Sequence, residues 1–306
     1  MNYPELLKKL TEVIKDVYTT DVEFTPIHDV PNVNSTEDGL TFESGDVKRG
    51  RTIKTCVLYV DIRNSVQLIK DKQTKTMGKI YTAFTKAVLI AAREEGGCVR
   101  NIIGDRVMVV FPEKDCFVHA VHCAFTINNI AGIVNKTFPT VDFNCGIGID
   151  YGTMNVLKVG IDRRDDEKQE NMNLVWVGYP ANYASRLTDV ANKTVKDRYR
   201  VISEPGLLGI EKEGEKAIHE YDKEELLSYL SAEGFGMLPI FHRPPVEIEA
   251  IEYTYSPILV SEAVYNGFAS ASPNEQCIVN GWWKKENYPI RDINYDVYGT
   301  RVVWSE

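Results

Sequence analysis

The sequence predicts an α+β fold: a ferredoxin-like βαββαβ core with an N-terminal helix and a C-terminal extension. Three observations point there. "TCVLYVDI" at 55–62 is an unbroken apolar run, the mark of a strand covered on both faces. "CVRNIIGDRVMVVF" at 98–111 reads as a hairpin turning at Gly104-Asp105. Long apolar-periodic segments separate these strands from one another and from a later strand-like run.

The elements follow in order. Residues 4–18 form an amphipathic helix, with Leu6, Leu7, Leu10, Val13, Ile14 and Val17 on one face. Charges interrupt any signal-peptide apolar stretch, so a cytoplasmic protein is expected. Residues 19–52 are polar and turn-rich ("HDVPNVNSTEDG") and read as a connecting arm. After the first core strand, "TMGKIYTAFTKAVLIAAREEGG" is a helix closed by Gly96-Gly97. The hairpin and a second helix, "DCFVHAVHCAFTINNIAGIVNKT", come next. "VDFNCGIGIDYGTMNVLKVGI" is expected to give two strands around Tyr151-Gly152. "NLVWVG" is a strand, "YPANYASRLTDVA" a helix with Pro180 in its first turn, and "YRVIS" a further strand. The division expected is 1–52 as helix and arm, 53–215 as the core domain, and 216–306 as an extension packed on it. The last segment carries three of the four tryptophans and ends in strand-like "YDVYGTRVVW".

Composition narrows the function classes. A net charge of −9 argues against a broad nucleic-acid surface. No apolar run of about 18 residues is read, so no membrane insertion is expected. The six cysteines contain no CxxC pair and read as reduced, buried thiols. Cys116, His119, His122 and Cys123 share one helix, which cannot wrap four ligands around zinc; packing is the preferred account.

Two acids stand where burial is wanted. Asp61 ends the first core strand, and Asp105 crests the hairpin. In a split βαβ fold these ends lie side by side. Two hard carboxylates there suit magnesium or manganese, with the carbonyl of Ile62 as a further oxygen ligand. Asp105 is equally an ordinary turn residue, and Asp61 a helix N-cap. Asn182 and Arg186, at i and i+4, project from one helix face, where an arginine can fork onto a phosphate. The backbone around Arg63-Asn64-Ser65 can offer N–H groups to terminal phosphates.

The set "VLYVDIRNSV", "GGCVRNIIGDRVMVVF", "CGIGIDYG" and "VGYPANYASRL" resembles the class III nucleotidyl cyclase catalytic domain over about residues 53–205. The resemblance implies that Asp61, Ile62 and Asp105 hold two divalent cations (Mn or Mg). It implies that Asn182 orients the ribose and Arg186 stabilises the α-phosphate. It implies a homodimer whose sites combine the aspartates of one protomer with the Asn and Arg of the other. The lysine that holds terminal phosphates in such domains has no clear counterpart among Lys193, Lys196 and Lys212.

The base-reading positions depart from the familiar members. Where adenylate cyclases have Lys and Asp, and guanylate cyclases Glu and Cys, this chain has Asn101 and Val175. Losing a polar contact to a base costs discrimination strongly. Tyr59, two residues before Asp61 on a strand, shares its face and can partly fill a purine-sized pocket. It reads equally as a core tyrosine. Arg100 points to the other face unless the strand bulges. The whole pattern resembles the bacterial pyrimidine cyclases of Pycsar anti-phage systems. That implies cyclic UMP or cyclic CMP as product, acting on a separate effector protein. The alternatives are an adenylate cyclase with an atypical pocket, or a non-catalytic nucleotide-binding relative.

Overall fold

The computed structural model describes residues 2–34, 38–42, 47–65, 74–160, 172–203, 217–233 and 245–304. It divides the chain into two compact units, Met1–Asn192 with Ser256–Glu306, and Lys193–Tyr255.

The first unit opens with helix α1 (Tyr3–Thr19), started by a capping box in which Asn2 and Glu5 exchange side-chain and backbone bonds. Strand β1 (Val22–Pro26) follows, then β2 (Lys48–Ile62), helix α2 (Thr74–Glu94), β3 (Cys98–Ile103), β4 (Arg106–Val110), helix α3 (Cys116–Thr137) and β5 (Cys145–Val159). Strand β6 (Asn173–Val177) leads into helix α4 (Tyr179–Val190). The sheet runs β5-β2-β4-β3 through its centre with every neighbour antiparallel, which is the split βαβ order.

Parity along the strands builds two cores. Cys56, Leu58, Val60 and Ile62 of β2, with Val107 and Val109 of β4, face α2 and α3. Phe84 of α2 meets Phe143 there at 5.2 Å between rings. Ile53 and Val57, with Met108 and Val110, face α4 and its Ala181 and Ala184. Asp61 therefore shares the α4 side with Tyr59. All six cysteines are free thiols, and burial pushes Cys145 up to about 12.

The structure differs from the sequence reading in several places. The polar arm contains β1, which pairs in parallel with the start of β2 from Val22↔Lys48 to Pro26↔Thr52. Residues 145–159 form one continuous strand, because twelve of its residues, Cys145 to Val156, pair without a break with β2. Arg100 sits at a register shift between Val99 and Asn101, and its guanidinium donates to the carbonyl of Val30.

The chain also divides elsewhere than at 215/216. After Ser256, β10 (Ile258–Ser261) enters the main sheet parallel to β5. Helices α6 (Glu262–Ala271) and α7 (Gln276–Val279) follow, numbered after α5 of the second unit. Then β11 (Lys284–Lys285) and β12 (Val297–Thr300) complete the edge. These C-terminal strands are sheet members rather than a layer laid on the core. By length and composition α3 is apolar enough to cross a membrane, at a mean hydropathy of 1.4. Its Ala120, Val121, Phe125 and Ile127 are buried in the core facing the sheet.

The second unit is a three-stranded antiparallel sheet ordered β8-β7-β9, of β7 (Thr194–Ser203), β8 (Ala217–Asp222) and β9 (Pro245–Thr254), with helix α5 (Lys223–Glu233). Lys212 and the tract 162–171 lie outside the described residues.

Candidate active site

Three pieces of chain bring the acids together. Asp61 lies at the end of β2, paired with Gly146 of β5. Asp105 sits in the two-residue turn between Ile103 and Arg106, where Gly104 supplies the positive φ of 62° that the tight turn requires. Ser65, just past the end of β2, hydrogen-bonds the carboxylate of Asp105.

The two carboxylates lie close enough to affect each other's charge. Burial holds the carboxyl of Asp105 above its ordinary range, and the neighbouring Asp61 pushes it further up; the Ser65 bond offsets part of this. Among the described residues Oδ2 of Asp105 is buried with no hydrogen-bond partner. Burial also raises the Tyr81 hydroxyl, and the charge of Asp105 adds to it. Among the described residues no three His, Cys, Asp or Glu side chains cluster. A divalent cation here would rely on two carboxylates, a backbone carbonyl and outside oxygens, which suits a hard ion such as Mg²⁺ or Mn²⁺. The orphaned oxygen and the like-charged neighbour fit that role.

The sequence reading missed the cation that faces these acids. Arg106 donates from Nη2 to Asp61 at 2.8 Å and also to Asp189 of α4. Its Nη1 donates to the hydroxyl of Ser185 at 2.9 Å. The only sequence signal was a charged residue opening the apolar run "RVMVVF". Burial raises the hydroxyl of Tyr59, and the charge of Arg106 draws it back. Tyr59 is thus partly buried on the face shared with Asp61, as its parity predicts.

The first residues after β2 are only partly available. Arg63 is buried, and its amide donates to the carbonyl of Asn144 at 2.7 Å. Its guanidinium contacts the carbonyl of Thr188, and burial lowers its pKa. Arg63 is therefore spent on structure, and its amide is withdrawn from any phosphate. Asn64 takes a left-handed φ of 54°.

Helix α4 is pressed close to the sheet because β5 offers glycine there. A Cβ at Gly148 would lie 2.3 Å from the carbonyl oxygen of Ala184 and 2.4 Å from the amide of Thr188. Thr188 adds a bond to the carbonyl of Tyr59 at 3.1 Å. The helix presents Asn182 exposed and Arg186 partly so. Arg186 pairs with Asp292, 106 residues away in sequence, at 2.5 Å. Among the described residues neither Asn182 nor Arg186 hydrogen-bonds to Asp61 or Asp105. Asn101 is exposed on β3, and Val175 is 41% exposed on β6. The chain by itself thus gathers Asp61, Asp105, Ser65 and Tyr59, and leaves Asn182, Arg186, Asn101 and Val175 facing outward.

The α+β architecture and the paired acids at a strand end and a hairpin crest define a chain like a class III nucleotidyl cyclase domain. Its named relatives are narrower in kind. The chain is similar to a uridylate cyclase of Burkholderia cepacia, 34% identical over 147 residues, which covers 46% of this chain and 61% of that protein. It is similar to the uridylate cyclases of Xanthomonas perforans (27% over 192 residues, 60% of this chain and 77% of that one) and Rhodovulum sp. (26% over 212 residues, 63% and 83%). The match thus spans less than two thirds of the Burkholderia protein. Among solved structures, the adenylyl cyclase CyaB from P. aeruginosa is 16% identical, covering 84% of this chain and 97% of that one, with a TM-score of 0.49. No family model matches the chain.

Proposed function

We propose that this protein is a pyrimidine nucleotide cyclase, converting UTP (or CTP) to the 3′,5′-cyclic monophosphate and pyrophosphate. The observation that carries the reading is the acid pair Asp61 and Asp105, with the buried oxygen of Asp105 unpartnered beside a second carboxylate. The uridylate cyclases among its relatives support the choice of base.

In the reaction the 3′-oxygen forms a bond to the α-phosphorus, and the bond to the pyrophosphate oxygen breaks. Asp61 and Asp105, with the carbonyl of Ile62, would hold divalent cations, which would lower the pKa of the 3′-hydroxyl and offset the triphosphate charge. Asn182 orients the ribose. Arg186 stabilises the charge that grows on the α-phosphate. Asn64 and Ser65 lie beside the phosphate path. Tyr59 fills the purine-sized part of the base pocket, and Asn101 and Val175 line it without the polar pairs that read adenine or guanine.

The reading places each site between two copies. In support, among the described residues neither Arg186, which pairs with Asp292, nor Asn182 hydrogen-bonds to the acids of its own chain. A homodimer in the cytoplasm would make the cyclic nucleotide as a signal to a separate effector in anti-phage defence.

The test is direct. Incubate the purified protein with Mn²⁺ or Mg²⁺ and each of ATP, GTP, CTP and UTP, and identify products by mass. A cyclic pyrimidine monophosphate is expected. Cyclic AMP would make it an adenylate cyclase with an atypical pocket. No cyclic product from any of them would favour the non-catalytic relative.

A further inference from the structure

The flank of α4 away from Arg106 borders a cavity of about 550 Å³. Its aromatic walls are Tyr179, Tyr183 and Tyr295, with Asp150 and Glu262 supplying the acids, while the ring of the neighbouring Tyr151 packs against Phe117. Tyr179 and Tyr183 stack at 5.8 Å, and Tyr295 meets Tyr183 edge-on at 5.5 Å. Among the described residues no lysine, arginine or histidine lines the cavity.

Asp150 is the unusual member. It projects from β5 and is only 5% exposed. A buried carboxylate without a cation is costly, since desolvation disfavours its charge. The amide of Tyr151 and the nearby hydroxyl of Ser261 favour its charged form, yet burial keeps its pKa raised. The hydroxyl of Tyr295, also lining the cavity, is buried with no hydrogen-bond partner among the described residues. Among the described residues the cavity therefore holds a buried acid with no cation beside it and a phenol without a partner, next to the rings of Tyr183 and Tyr179.

That chemistry rejects phosphates and favours cations. Aromatic walls attract an ammonium through their quadrupoles, and an acid at the floor pairs with it. We propose that this cavity is a binding site for a small protonated organic amine, held by Asp150 and enclosed by Tyr183 and Tyr295. Glu262 at the rim suits a second ammonium group, so a short diamine fits best. The site is distinct from the acid pair at Asp61 and Asp105, and it does not rest on the nucleotide reading.

The experiment uses the full chain and putrescine as probe. Titrate by calorimetry at fixed ionic strength, with sodium chloride as the matched control. Saturable binding is expected, with sodium ion failing to compete. Asp150→Asn should weaken it by about tenfold or more, the size of a desolvated charge contact. Tyr183→Leu should weaken it with Asp150 left in place, which keeps the test valid if the Asp150 variant unfolds. No saturable heat with putrescine, or equal affinity in a folded Asp150→Asn protein, overturns the proposal.

Discussion

The guanidinium of Arg106 sits 2.8 Å from the carboxylate of Asp61 and joins it to Asp189 on α4. Arg106 thus occupies the charge position that a divalent ion would claim, and Asp189 offers it a second host. An incoming ion and the guanidinium compete for one carboxylate. Arg106→Gln should therefore tighten Mn²⁺ binding without nucleotide, by about two- to fivefold, the worth of a partly exposed ion pair. Asp189→Asn should weaken it, because the guanidinium is left wholly to Asp61. Counting free Mn²⁺ by paramagnetic resonance reads both; weaker binding in Arg106→Gln refutes the competition.

The acids themselves should be indispensable to turnover. Asp61→Asn and Asp105→Asn are each expected to cut cyclic nucleotide formation by about 100-fold or more, the scale of losing a main electrostatic element. The circular dichroism spectrum should stay that of the parent.

Asp105 also predicts a pH dependence. Burial, then Asp61, raise its folded pKa above the unfolded value. Such a carboxyl stabilises the fold while protonated, and that stability is lost as pH rises through the folded pKa. The metal-free protein should then gain stability as pH falls through this range. Asp150 is raised too and contributes with the same sign, so the variant isolates the share of Asp105. Asp105→Asn should melt higher than the parent at neutral pH in EDTA, and lose the stabilisation that Mn²⁺ gives the parent. A lower melting temperature in EDTA would contradict the like-charge reading.

Gly148 sets how close α4 approaches the sheet. Gly148→Ala drives a methyl into helix backbone and should cost about 1–3 kcal/mol, as overpacking does. Turnover should fall with it, since α4 carries Asn182 and Arg186. Gly78 in α2 is the control: nothing lies within 4 Å of a Cβ there. Gly78→Ala should stabilise by about 0.4–1 kcal/mol. Thermal melts and product assays on the two variants decide it.

The pair Arg186–Asp292 is largely solvent-exposed, at 42% and 59%. Asp292→Asn, which keeps a residue suited to the left-handed φ of 60° there, should leave the melting temperature nearly unchanged, in line with an exposed pair worth under about 1 kcal/mol. It should leave turnover no lower than the parent. Arg186→Ala, by contrast, should lose turnover by about 100-fold or more. Comparable losses in both would make the pair, rather than the arginine, the working unit.

Some of this was legible in the sequence, and the reason is parity. An apolar strand fixes which side chains share a face, so Tyr59 and Asp61 could be placed together from spacing alone. The Gly-Asp turn carried its own signature. Arg106 was not legible, because its meaning depends on Asp61 and Asp189, 45 and 83 residues away along the chain. The same holds for Asp292. The bulge at Arg100 leaves no mark in an otherwise regular run. Ile258, Leu259 and Val260 fell within the extension expected to pack on the core, because nothing local announces that β10 will pair with β5.

The path of the chain around Lys193–Tyr255 has a consequence for ancestry. The first unit pauses at Asn192 and resumes at Ser256, and the amide of Asn192 donates to the carbonyl of Ser256 at 3.0 Å. Exit and re-entry are neighbours, closed by a bond of their own. The intervening residues behave as a cassette: a short splice from 192 to 256 would leave every strand of the main sheet on its present route. A segment so placed can be gained, lost or traded between lineages without redrawing the sheet that carries Asp61 and Asp105.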